Sequence, residues 1–193
     1  MLKWTINLAV ALCLVATASV ARAANEFEPQ MRAAFEQMVK GWLGDPVIVE
    51  AIKAQNEKNA ALSAADIDAL DKQWRAEAKD GKGTLIDSVL ANAVSKLLGE
   101  KKAASGELFT EMFIMDNKGL NVGQSDVTSD YMQGDEAKWE KTFLVGPDAV
   151  FIDDVEFDDS AGTFQAQMSA TISDPATGKA IGAITIGMNV EKL

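Results

Sequence analysis

Apolar residues in the first half of the chain recur at the spacing of a helix. From residue 27 onward they follow one another three or four positions apart, which places them on one helical face. The positions are Phe27, Met31, Phe35, Met38 and Trp42. Gly44 is expected to end this first helix, since glycine commonly follows the last turn of a helix.

Capping signals mark two further helix starts. Asp45 comes directly before Pro46, and an N-cap carboxylate followed by proline in the first turn is a favoured way to begin a helix. Ser63 stands three residues before Asp66, the spacing of a capping box. The sequence therefore predicts one helix after Asp45 and another after Ser63.

A fourth helix is predicted from Thr84, which stands three residues before Asp87 in another capping pattern. Gly99 is expected to end it. Its apolar positions are Leu85, Val89, Leu90, Val94, Leu97 and Leu98. The chain is therefore expected to be helical up to about residue 104.

Beyond Ser105 and Gly106 the pattern changes to short apolar or alternating runs that are separated by turn residues. Strands are predicted at residues 108–115, 120–123, 149–157, 163–172 and 180–190. The polar segment 134–143, between the second and third strands, is predicted to be helical. Short turns join antiparallel neighbours, so the strands are expected to form an antiparallel sheet.

The fourth predicted strand alternates over its whole length. One face carries Phe164, Ala166, Met168, Ala170 and Ile172, and the other carries Thr163, Gln165, Gln167, Ser169 and Thr171. Such alternation indicates that one face is buried in an apolar core while the other meets water or polar groups. The polar face is either the floor of a ligand pocket or an ordinary solvated sheet face, and the pattern leaves both open.

These elements predict an α+β fold in a single domain. The expected arrangement is PAS-like: a five-stranded antiparallel sheet, with the amino-terminal helices on one face and the helical insertion on the other. The helical segment spans residues 24–104, and the sheet spans residues 105–193.

Residues 1–23 have the pattern of a cleaved signal peptide. Lys3 precedes an apolar run over residues 6–20, and Ala21-Arg22-Ala23 is a small-x-small cleavage pattern. The alternative, an uncleaved anchor, is disfavoured because the run is short for a bilayer. We expect a secreted protein that begins at Ala24 and meets the membrane only through the removed leader.

Charge and missing residue types exclude several classes of function. The chain has 29 acidic and 18 basic residues and a net charge of −11, which argues against nucleic acid or anionic membrane surfaces as partners. It has no histidine, and its single cysteine, Cys13, lies in the predicted leader. Imidazole bases, thiol nucleophiles and His/Cys metal sites are therefore excluded from the mature chain.

The sequence predicts no catalytic residue, metal ligand or cofactor. It contains no Gly-x-Ser-x-Gly, Ser-x-x-Lys or phosphate-binding glycine loop. An acidic run between residues 153 and 159 lacks the alternating Asp-x-Asp-x-Asp-Gly spacing of a calcium loop. Solvated charges that protect a sheet edge are the favoured interpretation of that run. We expect a protein that is not an enzyme.

Three segments of the second half resemble single Cache domains, the PAS-like extracellular sensor modules of bacterial chemoreceptors and sensor kinases. Residues 113–121 (FIMDNKGLN) are similar to a Cache hairpin, residues 128–139 (TSDYMQGDEAKW) to the segment that borders the ligand pocket, and residues 172–182 (ISDPATGKAIG) to the last hairpin. The resemblance implies small-molecule sensing in the periplasm without catalysis. Such a soluble module would hand its ligand state to a membrane sensor kinase or chemoreceptor, or act as a binding protein.

Six residues near the segment 128–139 are candidate ligand contacts: Ser129, Asp130, Tyr131, Gln133, Asp135 and Trp139. Aromatic faces beside carboxylates suit a cationic or amine-bearing metabolite through cation–π attraction and charge pairing. Gln133 and Ser129 would orient a polar ligand, or they would serve only as turn groups. Trp139 would alternatively pack the insertion onto the sheet, and Trp74 is expected to pack within the core.

Two functions of different classes remain. The first is a sensor or binding module for a small polar metabolite, and the second is a periplasmic structural or interaction protein with a Cache core and no ligand. A pocket collapsed around Trp139 and Met132 would favour the second. An open, polar cavity between the sheet and the insertion would favour the first.

Overall fold

A computed structural model describes residues 25–159 and 161–193. The predicted leader and its cleavage point at Ala23 lie outside the described residues, so both stay predictions. Across the described ranges, no helix is both long enough and apolar enough to cross a bilayer.

Helices fill the first half of the described chain. They are α1 (Glu28–Met38), α2 (Pro46–Lys58), α3 (Ala64–Asp80), α4 (Thr84–Leu90) and α5 (Ala93–Ala104), with a 3-10 turn at Lys40–Trp42. Both predicted caps at α2 and α3 are present: Val47 N donates to Asp45 at 2.8 Å, and Ser63 and Asp66 form a capping box. Helices α2 and α3 thus begin where the capping patterns predicted.

The prediction of one helix from Thr84 to Leu98 is wrong, because the structure has two. Asn92 interrupts the run and caps α5 by accepting a hydrogen bond from Ser95 N at 2.8 Å. Gly99 lies inside α5, which continues to Ala104. An N-cap asparagine within an apolar period marks a new start, and the spacing of the apolar residues concealed it.

Thr84 is also not the cap of α4. The N-cap is Gly83, which offers no side chain, and the capping carboxylate comes from α3. Glu77 Oε2 accepts hydrogen bonds from Leu85 N and Ile86 N, each at 2.9 Å. A cap supplied by another helix leaves no local sequence signal.

The second half forms one antiparallel sheet. Its strands are β1 (Phe109–Met115), β2 (Asn121–Gln124), β3 (Val150–Asp158), β4 (Thr163–Ser173) and β5 (Ala180–Asn189). Their order is β2-β1-β5-β4-β3, and every neighbouring pair is antiparallel. The predicted α+β, PAS-like architecture with five antiparallel strands is confirmed.

The sheet separates two different layers. Its helix-side face is apolar, with Met112, Met168 and Ile186 at 1% exposure or less, and it packs on α1, α2 and α5 through residues such as Ile52 and Leu98. On β4, Ala166, Met168, Ala170 and Ile172 join this core. The predicted alternation is therefore confirmed, although Phe164 at the strand end is half exposed against Phe157.

The opposite face carries the insertion, which is much less helical than predicted. Within 134–143 only α6 (Ala137–Glu140) is an α-helix, one turn long. Trp139 from α6 packs on Phe113, Met115 and Ala183 of the sheet. The rest of this face is polar, and Ser169 and Thr185 share a hydrogen bond of 2.9 Å across β4 and β5.

A buried carboxylate joins the β1–β2 turn to helix α2. Asp116 is completely buried, and its Oδ1 accepts hydrogen bonds from Lys118 N at 2.8 Å and Leu120 N at 2.9 Å. Its Oδ2 accepts from Asn59 Nδ2 at 2.9 Å and Gln55 Nε2 at 3.1 Å. The β1–β2 turn is thereby held by hydrogen bonds within the turn and by hydrogen bonds from α2.

Candidate ligand-binding site

The aromatic candidates Tyr131 and Trp139 lie in two separate apolar clusters. Tyr131 is 6% exposed and stacks on the fully buried Trp74, with ring centroids 5.4 Å apart. Burial, assisted by the charge of Asp116, raises the pKa of Tyr131 to about 12. The Tyr131 ring therefore packs in an apolar cluster, and Trp74 packs in the same cluster, as expected for a core residue.

Trp139 belongs to the cluster on the polar side of the sheet. It is 9% exposed, stacks on Phe143 at 5.1 Å, and donates a hydrogen bond from Nε1 to Asp116 O at 3.1 Å. These contacts agree with the alternative prediction for Trp139, in which it packs the insertion onto the sheet. Tyr131 and Trp139 thus do not form one aromatic box.

The acidic candidates Asp130 and Asp135 face helix α3. Arg75 Nη1 pairs with Asp130 Oδ1 at 2.7 Å, and Arg75 Nε pairs with Asp71 Oδ2 at 2.7 Å. Asp135 is exposed. With Arg75 and Met132, it lines a cavity of ≈ 360 Å³ between α3 and the segment 127–138, which leads into α6. Both carboxylates lie on the outer side of the segment, away from the sheet.

Asp71 ties this segment to α3. Its Oδ1 accepts hydrogen bonds from Tyr131 N at 2.9 Å and Met132 N at 3.0 Å. Burial alone would raise the pKa of Asp71, but the hydrogen bonds from Met132 N, Arg75 and Tyr131 N outweigh it and lower the pKa overall. The carboxylate therefore stays ionised while it holds two consecutive backbone N–H groups.

We expect Asp71→Ala to loosen the segment without changing the sheet. Two partly buried backbone N–H groups would lose their acceptor, at a cost of about 1–3 kcal/mol in the free energy of unfolding. Hydrogen exchange measured by mass spectrometry should accelerate across residues 127–135. Asp68→Ala is the matched control, because Asp68 lies one turn earlier on α3 in an exposed pair with Lys72. Equal exchange in both variants would contradict the anchoring role.

The remaining candidates, Gln133 and Ser129, line a polar cleft between the sheet and the segment 127–138. The cleft contains a cavity of ≈ 320 Å³. Its lining comprises Glu111, Phe113, Val127, Thr128, Ser129, Gln133, Lys138, Asp158, Gln165 and Gln167. A second cavity of ≈ 230 Å³ adjoins it and shares Lys138, Gln165 and Gln167. The amide face of β4 is therefore the floor of a cleft.

Sequence reasoning missed Glu111, the most informative residue of this cleft. Glu111 Oε1 accepts a hydrogen bond from Gln167 Nε2 at 2.8 Å. Burial raises the pKa of Glu111, although the hydrogen bond from Gln167 and the charge of Lys138 oppose the shift. A single acid in the apolar run of β1, on the face opposite Met112, was the signal that could have identified it.

Lys138 supplies the positive charge of the cleft. Its side chain is 15% exposed, and its Nζ lies 2.9 Å from Glu136 Oε2 and 3.3 Å from Gln133 Oε1. The same ammonium lies 5.4 Å from the ring centroid of Phe113. The two cavities thus combine carboxylates, amides and one ammonium, which suits a small polar guest. Among the described residues, no group of three or more acidic, histidine or cysteine side chains is placed to hold a metal ion.

Comparisons with known proteins give matches only to solved structures, at low identity. No family model matches the sequence, and no curated protein matches it. The sensor domain of the V. cholerae histidine kinase DctB matches with a TM-score of 0.47 and 12% identity, over 86% of this chain and 53% of that one. The sensory domain of the Campylobacter jejuni chemoreceptor Tlp3 (CcmL) matches with a TM-score of 0.41 and 12% identity, over 83% and 65%.

The ligand-binding domain of the Pseudomonas fluorescens chemoreceptor CtaA, solved in complex with L-alanine, matches with a TM-score of 0.35 and 10% identity. That match covers 85% of this chain and 59% of the other. The chain therefore spans between about half and two thirds of the length of these domains. The matched structures are sensor or ligand-binding domains of histidine kinases and chemoreceptors.

Proposed function

We propose that the chain is a periplasmic ligand-binding sensor module of the Cache type. Its ligand is a small polar metabolite that carries an amine, and the cleft between β1, β4 and the segment 127–138 is the binding site. The bound state is passed to a membrane sensor kinase or chemoreceptor. The function is binding and signalling rather than catalysis.

The observation that carries this proposal is the partly buried carboxylate of Glu111 over a floor of amides. Burial disfavours the ionised form of a carboxyl group, and a guest ammonium beside Glu111 would restore its stability. Gln165 and Gln167 offer amide groups within the same cavity, which can orient a polar guest. The acids of the lining outnumber the single cation Lys138, so the cleft favours a positively charged group.

The alternative, a structural protein with a collapsed pocket, is disfavoured by the position of the two residues expected to fill it. Met132 packs with Tyr131 and Trp74 in a cluster on the other side of the segment. Trp139 lies flat beside Phe143 and on Phe113. Neither residue lines the cavity of ≈ 320 Å³, which is polar as the ligand-binding hypothesis requires.

A thermal-shift screen of amines, amino acids and simple carboxylates tests the proposal. A ligand at about 100 times its dissociation constant adds roughly 2.7 kcal/mol to the free energy of unfolding. Amine-bearing compounds should raise the melting temperature, and simple carboxylates should not. A screen in which only carboxylates, or no compound, stabilise the protein would contradict the amine-binding function.

Glu111→Gln should weaken binding of any amine found in the screen by about tenfold or more, because a desolvated charge pair is lost. The glutamine keeps an oxygen that can accept the hydrogen bond from Gln167, so the fold should persist. Glu107→Gln is the matched control, since Glu107 is exposed and paired with Lys192 away from the cleft. Calorimetric affinities that are equal in the two variants would place the site elsewhere.

A further inference from the structure

The ammonium of Lys138 lies at the junction of the two cavities. Lys138 is the only cation among the residues that line them. Its side chain is 15% exposed, so most of it lies within the cleft rather than in solvent. A lysine on a one-turn surface helix can keep its ammonium fully hydrated in solvent. Because this ammonium is largely buried instead, other groups must compensate its charge.

Those partners are the groups that would bind a foreign ammonium. Glu136 provides a carboxylate at 2.9 Å, Gln133 an amide oxygen at 3.3 Å, and Phe113 a ring face at 5.4 Å. Carboxylate, carbonyl oxygen and aromatic face are the three kinds of group that stabilise an alkylammonium ion in proteins. The charge of Lys138 also acts on Glu111, whose pKa it lowers against the effect of burial.

We propose that Lys138 is a tethered substitute for the ligand: its ammonium occupies, in the ligand-free protein, the position that the ammonium of the guest takes. This inference rests on the proposed function. Two ammonium groups cannot share the surroundings of Gln133 and Phe113, because like charges at such distances repel strongly in a partly buried site. The guest therefore has to expel Lys138, and Lys138 sets the concentration at which the sensor responds.

An expelled Lys138 side chain can move to the rim of the cleft. Glu136 is 38% exposed, so its carboxylate reaches the rim of the cleft. Lys138 can keep this ion pair while its Nζ leaves Gln133 and Phe113 for water. Expulsion then costs the contacts inside the cleft but not the whole pairing energy of the lysine.

A different role for Lys138 would give opposite results. If the lysine instead held a carboxylate of the ligand, its removal would weaken the binding of anionic groups. The affinity for amines would then stay unchanged or fall. A tethered competitor predicts the reverse, because its removal frees the place for a guest cation. The sign of the change in affinity for a simple amine thus separates the two roles.

The experiment compares the parent protein with Lys138→Met, which keeps the length of the side chain and removes its charge. Propylammonium chloride and sodium propionate are titrated against each protein, and binding is followed by NMR chemical shifts. Lys138→Met should bind propylammonium about tenfold more tightly than the parent, and propionate no better. Lys141→Met is the control, because Lys141 lies over Phe151, 4.1 Å from the ring centroid, and it does not line either cavity.

Unchanged or weaker binding of propylammonium by Lys138→Met, where the parent binds it, overturns this inference and leaves the proposed function standing. The same holds if the parent binds both compounds and the variant loses only propionate. Binding of propylammonium by neither protein overturns the proposed function together with the inference. Lys138→Gln replaces the methionine variant if circular dichroism shows that the latter is unfolded, and the same outcomes apply.

Discussion

Asp116→Ala should destabilise the protein by about 3 kcal/mol or more. The buried Leu120 N and the partly buried Lys118 N would lose their acceptor, and so would the amides of Gln55 and Asn59. Each unsatisfied buried donor costs about 1–3 kcal/mol. For a domain of this size such a loss lowers the melting temperature by about 6–12 °C, since 1 kcal/mol corresponds to roughly 2–4 °C.

Urea unfolding followed by circular dichroism measures this effect. Asp116→Asn should retain part of the stability, because the amide keeps one oxygen acceptor, while its NH2 group meets donors in place of the second. Asp126→Ala is the matched control: Asp126 is an exposed partner of Lys102, and such pairs are worth about 0–1 kcal/mol. A loss for Asp116→Ala no larger than that of the control would contradict the anchoring role of the turn.

The turn matters for the site as well as for stability. Asp116 O accepts the hydrogen bond from Trp139 Nε1, so the same residue holds α2, the β1–β2 turn and α6. Lys138 precedes Trp139 in α6, and the position of its ammonium therefore depends on this turn. We expect Asp116→Ala to displace the competing ammonium of Lys138 in addition to lowering stability.

Periodicity alone predicted the sheet, because alternation in β4 assigns each side chain to one of two faces. It also predicted that the amide face of β4 would be polar, and left open whether that face lined a pocket. Glu111 completes the pocket from β1, and it contacts Gln167 across 56 positions of sequence. A single sequence does not state the strand order, which here places Glu111 and Gln167 on either side of Gly187 in β5, so the meeting of these two residues could not be predicted.

The segment 127–138 shows that composition does not predict the orientation of its side chains. Its composition suggested a binding region, which stays a prediction, but it did not indicate which side chains point inward. Asp71 and Trp74 of α3 hold it from outside, through Tyr131 N, Met132 N and Thr128 O. These contacts direct Asp130 and Asp135 towards Arg75 and leave Gln133 and Ser129 at the cleft. The orientation is therefore decided by a helix more than 50 residues earlier in the chain.

Amine binding should weaken as the pH falls, and Glu111 should be the cause. Burial raises the pKa of Glu111 above its ordinary value of 4.5, with Lys138 opposing the shift and Asp158 adding to it. A guest ammonium requires the ionised carboxylate, so binding must release the proton wherever Glu111 is protonated in the free protein. Below the raised pKa, the affinity should fall by about tenfold for each pH unit, as one proton is exchanged per ligand.

The same shift has a defined effect on stability without ligand. A carboxyl group whose pKa is higher in the folded than in the unfolded protein binds its proton more tightly when folded. Its contribution to stability is therefore fully present below the unfolded pKa and is lost as the pH rises through the raised folded pKa. Ligand affinity and this contribution thus change with pH in opposite directions, which separates them in one set of measurements.

Calorimetry of propylammonium binding at several pH values just above 4.5 and at pH 7.5 checks this prediction, since an alkylammonium stays charged throughout that range. Repeating it in two buffers with different heats of ionisation counts the protons released. Glu111→Gln should bind weakly and without pH dependence over the same range. A parent protein whose affinity does not change with pH, or a Glu111→Gln variant that keeps the dependence, would show that another group pairs with the amine.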